Sequence, residues 1–192
     1  MGVTYDHEQQ RFVFDFEHDG AEDIVSLTGD GYQVEAFGKC FYYGYEFSDQ
    51  VDGPVRSAFI KYVKFTENLQ DTPDLTNFIK KAIDNLHKKI NLYDYDLVVM
   101  PESSSRVNQY MLRYIYRFAQ PTLRKMELIL TKPMDETLCA TIRKQNILVI
   151  DDVATSGSTL NEVLRVLRIL NEDNEITIFS LIGRKDLMAE SL

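Results

Sequence analysis

The stretch Ile147-Leu-Val-Ile-Asp-Asp-Val-Ala-Thr-Ser-Gly-Ser-Thr-Leu160 has the order of features that is typical of an α/β protein. An apolar run predicts a buried strand that ends in Asp151 and Asp152, a loop of small residues follows, and a helix is predicted to begin at about Ser158. In an open α/β sheet, ligands bind at the carboxyl ends of the strands. We therefore expect the ligand site at this acid pair and loop.

The loop has the composition of a phosphate site. Four hydroxyl groups and a run of backbone N–H groups stand at the predicted helix N-terminus, and Gly157 can adopt the left-handed conformation that lets the amides converge. The alternative is structural, with Ser158 as an ordinary N-cap after a tight turn. The phosphate-loop residues are Thr155, Ser156, Gly157, Ser158 and Thr159.

The two carboxylates before the loop suit a different part of a ligand. Asp151 and Asp152 repel a phosphate, but they can accept hydrogen bonds from a diol or from the waters around a metal ion. A ligand that combines a phosphate, a vicinal diol and a metal ion is a phosphorylated ribose. The order of acids, loop and helix therefore indicates a site for such a sugar.

Apolar runs and helical patterns alternate from residue 54 to the end of the chain. Such alternation predicts βαβ units, and hence an open, mainly parallel twisted sheet with helices on both faces. The predicted strands are 96–100, 127–131, 146–150 and 175–182, and the predicted helices cover 54–63, 75–90, 107–118 and 158–170.

The first 50 residues differ from the rest in both charge and pattern. Residues 1–56 contain 12 acidic and 3 basic residues, a net charge of 3 − 12 = −9, which equals the net charge of the whole chain. Alternating runs at 11–17 and 23–28 and an aromatic stretch at 32–47 predict strands. We interpret residues 1–50 as a β-rich acidic segment, a candidate hood or subdomain, and residues 51–192 as the core.

Composition excludes several classes of protein. An excess of 30 acidic over 21 basic residues argues against nucleic acid or an anionic membrane surface as the partner. No apolar run approaches the roughly 18 residues that a membrane span needs. The N-terminus is polar and acidic, unlike a secretory signal, so we expect a cytoplasmic protein.

The stretch from Val149 to Leu160 is similar to the phosphoribosyl pyrophosphate (PRPP) signature of type I phosphoribosyltransferases. The shared pattern is an apolar strand, two acids, two apolar or small residues, and a loop of Thr and Ser around Gly. The resemblance implies that Asp151 and Asp152 contact the ribose hydroxyls and that Thr155 to Thr159 bind the 5′-phosphate. It also implies Mg²⁺, which enters with PRPP near the acid pair and has no direct protein ligand.

A narrower resemblance connects the chain to the ComF-like branch of that superfamily. The matching segments are Tyr43-Gly-Tyr-Glu46, Gly53-Pro-Val-Arg56, Lys61-Tyr62, Asp96-Leu-Val-Val-Met-Pro101 and Arg106-Val-Asn-Gln109. The branch often begins with a cysteine zinc module, whereas only Cys40 lies in that region here. No zinc site is therefore expected.

Two further segments are assigned through the resemblance. The pyrophosphate loop corresponds to Ser103, Ser104, Ser105 and Arg106, which supply hydroxyls, amides and a guanidinium. A Ser-rich helix cap with an exposed Arg106 is the structural alternative. The segment from Lys132 to Gln145 corresponds to the lid that excludes water from the reacting centre.

The resemblance implies a transferase that passes ribose 5-phosphate from PRPP to a nitrogenous base and releases pyrophosphate, with Asp151 and Asp152 as catalytic residues. The alternative is a PRPP- or nucleotide-binding regulator, or a ComF-like accessory protein, that has kept the fold without the reaction. The base is not identified by the sequence, and the oligomeric state is left open, with a homodimer as one candidate.

Overall fold

A computed structural model describes residues 2–6, 8, 11–18, 21–28, 32–36, 39–47, 53–65, 73–101, 105–118, 126–130, 144–154, 157–170 and 173–183. Its strands are β1 (Gly2–Asp6), β2 (Arg11–His18), β3 (Ala21–Thr28), β4 (Tyr32–Ala36), β5 (Lys39–Phe47), β6 (Leu97–Pro101), β7 (Met126–Leu130), β8 (Asn146–Ala154) and β9 (Glu175–Gly183). Its α-helices are α1 (Gly53–Phe65), α2 (Pro73–Lys89), α3 (Arg106–Ile115) and α4 (Ser158–Leu170).

The nine strands form a single sheet with a parallel half and an antiparallel half. The order along the sheet is β1-β2-β3-β5-β9-β8-β6-β7, and β4 pairs with β5. The pairs β5–β9, β9–β8, β8–β6 and β6–β7 are parallel, whereas the pairs β1–β2, β2–β3, β3–β5 and β4–β5 are antiparallel. The predicted α/β class with a parallel sheet is confirmed.

Helices cover both faces of the parallel half. Side chains of α1, α2 and α3 form one apolar core with Val98, Leu148 and Ile150. Side chains of α4 form a second core with Val99 and Val149 on the opposite face. Because both faces are buried, the central strands are near-continuous apolar runs, which is the pattern that identified them in the sequence.

The N-terminal strands continue the sheet. Strand β5 connects the two halves: Phe41 to Glu46 pair in parallel with β9, while on its other edge β5 pairs with β4 and, at Glu46 and Phe47, with β3. Phe12, Phe14 and Leu27 of this region are buried in the core that α1, α2 and α3 cover. The predicted boundary at residue 50 lies outside the described residues and stays a prediction, although the strands on the N-terminal side of it belong to the same sheet as the core strands.

One residue of β5 has no room for a side chain. A Cβ atom at Gly44 would lie 2.7 Å from the Ala82 Cβ of α2 and 3.0 Å from the Leu181 carbonyl oxygen of β9. The absence of a side chain therefore lets α2 pack directly against β5.

Candidate functional site: the acid pair at the divergence of two strands

The connections of the sheet reverse direction between β6 and β8. From β6 the chain passes through α3 to β7 at the edge, and from β8 it passes through α4 to β9 on the other side. The two helices lie on opposite faces. A crevice forms outside the carboxyl ends of the strands at such a reversal, and it is where open α/β proteins bind their ligands.

The pairing of these two strands stops before either strand ends. Strand β6 pairs with β8 from Leu97 with Ile147 to Val99 with Val149. Beyond that point β6 remains paired with β7 to Pro101, and β8 remains paired with β9 to Ala154. The carboxyl-terminal part of β8 is therefore paired along its β9 edge.

The acid pair lies inside this part of β8, which corrects the expectation that the strand ends at the carboxylates. Asp151 pairs with Ser180 of β9, and pairing continues through Val153 with Ile182 and Ala154 with Gly183. The strand is longer than its apolar run because β9 supplies hydrogen bonds beyond Ile150. Both carboxylates are buried as a result, with 6% of Asp151 and 0% of Asp152 exposed.

Asp152 is paired with a cation from a distant part of the chain. The Lys64 Nζ atom in the last turn of α1 lies 3.1 Å from the Asp152 Oδ1 atom. The same oxygen accepts a hydrogen bond of 2.7 Å from the Val153 N–H. Among the described residues, the Asp152 Oδ2 atom is buried and has no hydrogen-bond partner.

Asp151 contacts α3, the helix that follows β6. Its Oδ1 atom accepts hydrogen bonds from the Asp152 N–H at 2.9 Å and from the Asn108 Nδ2 atom at 3.4 Å. Burial first, and then the neighbouring Asp152 carboxylate, together raise the pKa of Asp151 to about 7, against the opposing effects of Lys64, of Asn108 and of the Asp152 N–H. Asp151 is therefore a carboxyl group that gains or loses its proton near neutral pH.

The glycine of the phosphate loop has the predicted conformation. Gly157 is buried and has a φ angle of 70°, in the left-handed region that favours glycine. Its carbonyl oxygen accepts a hydrogen bond of 2.8 Å from the Asn161 N–H, and α4 begins at Ser158 as predicted. Ser158 is exposed and Thr159 is half-buried, whereas Thr155 and Ser156 lie outside the described residues.

The pyrophosphate loop is described only at its end. Ser105 is buried and is the N-cap of α3, because its side chain accepts a hydrogen bond of 3.3 Å from the Val107 N–H. Arg106 is exposed in the first turn of α3. This arrangement matches the structural alternative for these two residues. Ser103 and Ser104 lie outside the described residues, as do residues 132–143 of the expected lid, so these roles stay predictions.

Sequence patterns did not identify Lys64 and Asn108 as site residues. Asn108 had a usable signal, because it lies four residues before Leu112 and seven before Ile115 and so shares their buried helix face. A polar residue on an apolar face suggests a buried partner. Lys64 had no comparable signal, since a lysine in the last turn of a helix is common.

A separate cavity of about 360 Å³ lies at the opposite end of the sheet. Asn146 and Glu175, at the beginnings of β8 and β9, line it together with Asn91 and Asp94. Some of these polar groups bond to one another, for example Asn91 Nδ2 to Asp94 Oδ1 at 2.7 Å. The candidate site is assigned to the crevice and not to this cavity, because the acid pair and Gly157 lie at the other ends of the strands.

No protein-family model matches the chain, and no curated protein matches its sequence.

Two structural findings bear on metal and membrane partners. Within the described ranges, no group of three or more His, Cys, Asp or Glu side chains could hold a metal ion. None of the helices that the structure describes is both long and apolar enough to cross a membrane.

Proposed function

We propose that this protein is a magnesium-dependent phosphoribosyltransferase that binds PRPP and transfers ribose 5-phosphate to a nitrogenous base. The observation that carries the proposal is the arrangement at the end of β8: two buried carboxylates, followed by a left-handed glycine at a helix N-terminus, beside the point where the sheet connections reverse. The type I phosphoribosyltransferase fold, which is narrower than the α/β class described above, is part of the proposal.

The two ends of the site suit the two ends of a phosphorylated ribose. The positive end of the α4 dipole and the backbone N–H groups around Gly157 attract an anion and would bind the 5′-phosphate. The carboxylates of Asp151 and Asp152 would accept hydrogen bonds from the ribose hydroxyls, and the Asp152 Oδ2 atom is a buried acceptor that still needs a donor. A hydroxyl group of the sugar would meet that need.

The proposed reaction exchanges one bond at the anomeric carbon of the ribose. The bond from that carbon to the pyrophosphate oxygen breaks, and pyrophosphate leaves with the electron pair. A lone pair of the base nitrogen forms the new carbon–nitrogen bond, and the base loses a proton. The negative charge of the acid pair would stabilise the positive charge that develops on the sugar ring in the transition state.

The residues of the site are compatible with an Mg²⁺ ion that would enter bound to PRPP. When it is bound, Mg²⁺ neutralises the charge of the diphosphate and so makes pyrophosphate a better leaving group. The oxygens of the acid pair and of the Asn108 side chain, whose Oδ1 atom is buried without a hydrogen-bond partner among the described residues, can accept hydrogen bonds from the waters that Mg²⁺ retains.

The experiment that tests the proposal has a binding part and a reaction part. Calorimetry with PRPP and Mg²⁺ measures binding, and a pyrophosphate-release assay with a panel of purine and pyrimidine bases measures transfer. We expect binding by the wild-type protein, and base-dependent release of pyrophosphate with at least one base of the panel. The variant Asp151→Asn with Asp152→Asn is the negative control, because it removes both charges from the site.

The outcomes separate the candidate functions. Binding together with base-dependent release supports the transferase. Binding without release from any base would replace it with a PRPP-binding regulator, the alternative in which the fold is kept without the reaction. An absence of PRPP binding by the folded wild-type protein would overturn both.

A further inference from the structure

Lys64 joins the last turn of α1 to the buried acid pair. Its Nζ atom lies 3.1 Å from the Asp152 Oδ1 atom, and the two side chains are 33% and 0% exposed. The ammonium group therefore reaches from a partly solvated position to a carboxylate that solvent does not touch. The ion pair links α1, in the N-terminal half of the chain, to the candidate site.

This contact fixes the orientation of the Asp152 carboxylate. Lys64 and the Val153 N–H both bind one oxygen, Oδ1, so any turn of the carboxylate short of the half-turn that exchanges its two equivalent oxygens would break the ion pair and the hydrogen bond. The Oδ2 atom is consequently the acceptor that remains, buried and without a hydrogen-bond partner among the described residues. A buried acceptor without a donor is unfavourable, and a ligand hydroxyl that reaches it would remove that cost.

The packing of α1 does not depend on this ion pair. Phe59 and Val63 of α1 are completely buried and hold the helix against the sheet. An ion pair with a fully buried carboxylate adds little net stability, because the desolvation of that carboxylate opposes the attraction. The ion pair is therefore better explained by its effect on the orientation of the Asp152 carboxylate than by a contribution to the stability of α1.

We infer that Lys64 is a positioning residue that makes Asp152 selective for a sugar with a vicinal diol. This inference rests on the proposed function and deepens it. With Lys64 in place, the Oδ2 atom accepts a hydrogen bond from one hydroxyl of the diol, and a sugar that lacks this hydroxyl leaves the acceptor unpaired. Without Lys64, the carboxylate is no longer held with Oδ2 toward the sugar, and this selectivity is lost.

The test compares two sugar phosphates that differ by one hydroxyl. Calorimetry gives the dissociation constants of ribose 5-phosphate and 2-deoxyribose 5-phosphate, and their ratio measures selectivity for the diol. We expect the wild-type protein to prefer ribose 5-phosphate by roughly tenfold, the effect of one hydrogen bond to a charged group. In Lys64→Met the ratio should approach one, while both sugars still bind through their phosphates.

Two matched variants separate positioning from other effects of the substitution. Lys64→Arg keeps a cation at the end of α1 and should retain most of the selectivity. Lys61→Met removes the same charge from an exposed position of the same helix and should behave as wild type. Thermal unfolding of each variant shows that the comparison is made on folded protein.

The outcomes distinguish this inference from the proposed function. A wild-type ratio in folded Lys64→Met, or an equal loss of affinity for both sugars, overturns the positioning role alone. If Lys64→Met does not fold, Asp152→Asn decides instead, because an unchanged ratio in that variant overturns the inference. A wild-type protein that binds both sugars equally also overturns it. A wild-type protein that binds neither sugar overturns the proposed function together with the inference.

Discussion

The side-chain amide of Asn108 in α3 donates a hydrogen bond of 3.4 Å to the Asp151 carboxylate in β8. The two residues belong to the two strand–helix units whose connections run in opposite directions, so the contact joins these two units. Asp151 is also adjacent to Asp152, whose partner Lys64 comes from α1. Two helices, α1 and α3, therefore converge on the pair of carboxylates in β8.

Gly157→Val should abolish binding of ribose 5-phosphate. A φ angle of 70° costs an ordinary residue about 1–2 kcal/mol, and a β-branched side chain more, so the loop would leave the conformation that directs its amides at the phosphate. Calorimetry on the folded variant checks this prediction. Gly157→Asn is the matched control, because Asn tolerates the left-handed region and should keep measurable affinity. Unchanged affinity in Gly157→Val would contradict a phosphate site at this loop.

The variant Asp151→Asn with Asp152→Asn should lose PRPP binding and keep or gain thermal stability. The substitutions remove two adjacent buried carboxylates that repel each other, and Lys64 is partly solvated, so water can replace its lost partner. Calorimetry and the melting temperature check the two halves of the prediction. Glu175→Gln, at the opposite end of the sheet, is the control and should bind as wild type. A much lower melting temperature with normal PRPP binding would mean that the acid pair is structural.

Asp151 should make the stability of the protein depend on pH. Its pKa is about 7 in the folded protein against an ordinary value of 3.8, so the folded state binds the proton more tightly than the unfolded state. The free energy of unfolding should therefore fall as the pH rises from about 4 to about 7, by at most about 1.4 kcal/mol per pH unit, and this contribution should be constant above pH 7.

Asp151→Asn removes this titration and should remove its share of the pH dependence. Denaturant unfolding of both proteins at pH 5 and pH 8 measures the effect. We expect the variant to gain stability relative to wild type at pH 8 and to gain less at pH 5. The same difference between the two proteins at both pH values would show that Asp151 does not titrate in this range.

Neutralisation of the acidic N-terminal strands should change ligand affinity only at low salt. The acidic surplus lies in residues 1–56, and charges that are remote from an anionic ligand act through a field that salt screens over roughly 8 Å at physiological ionic strength. The variant replaces Asp15, Glu17, Asp19, Glu22 and Asp23 by their amides. Calorimetry across a salt series should give higher PRPP affinity at low salt and wild-type affinity at high salt. A loss of binding at every salt concentration in the folded variant would mean that these strands belong to the ligand site.

Sequence patterns were sufficient where a property depends on neighbouring residues. The alternation of apolar runs and helical stripes identified the central strands and the four helices. The spacing of apolar residues in each element depends on whether one face or both faces of that element are buried. The start of α4 at Ser158 and the left-handed Gly157 were also predictable, since capping and positive φ depend on the residue itself and its immediate neighbours.

The extent of the strands was decided by their neighbours. Strand β8 continues from Ile150 through the acid pair to Ala154 because β9 pairs with it there, a partner more than 25 residues away in the sequence. Strand β1 contains no marked apolar run and forms against β2, from Gly2 with Asp15 to Asp6 with Arg11. Hydrogen bonding between strands stabilises such segments whatever their local pattern, so the sequence did not indicate them.

By itself, the sequence determined the α/β class, the order of strands and helices in the core, and the acidic and hydroxyl side chains available in the stretch from Ile147 to Leu160. Only the tertiary structure decided that Lys64 pairs with Asp152 and that Asn108 bonds to Asp151, because these contacts join residues 88 and 43 positions apart in the chain. The charge state and orientation of a buried carboxylate depend on the groups that surround it in space. The local sequence identifies the carboxylates, whereas the tertiary structure determines which residues contact them.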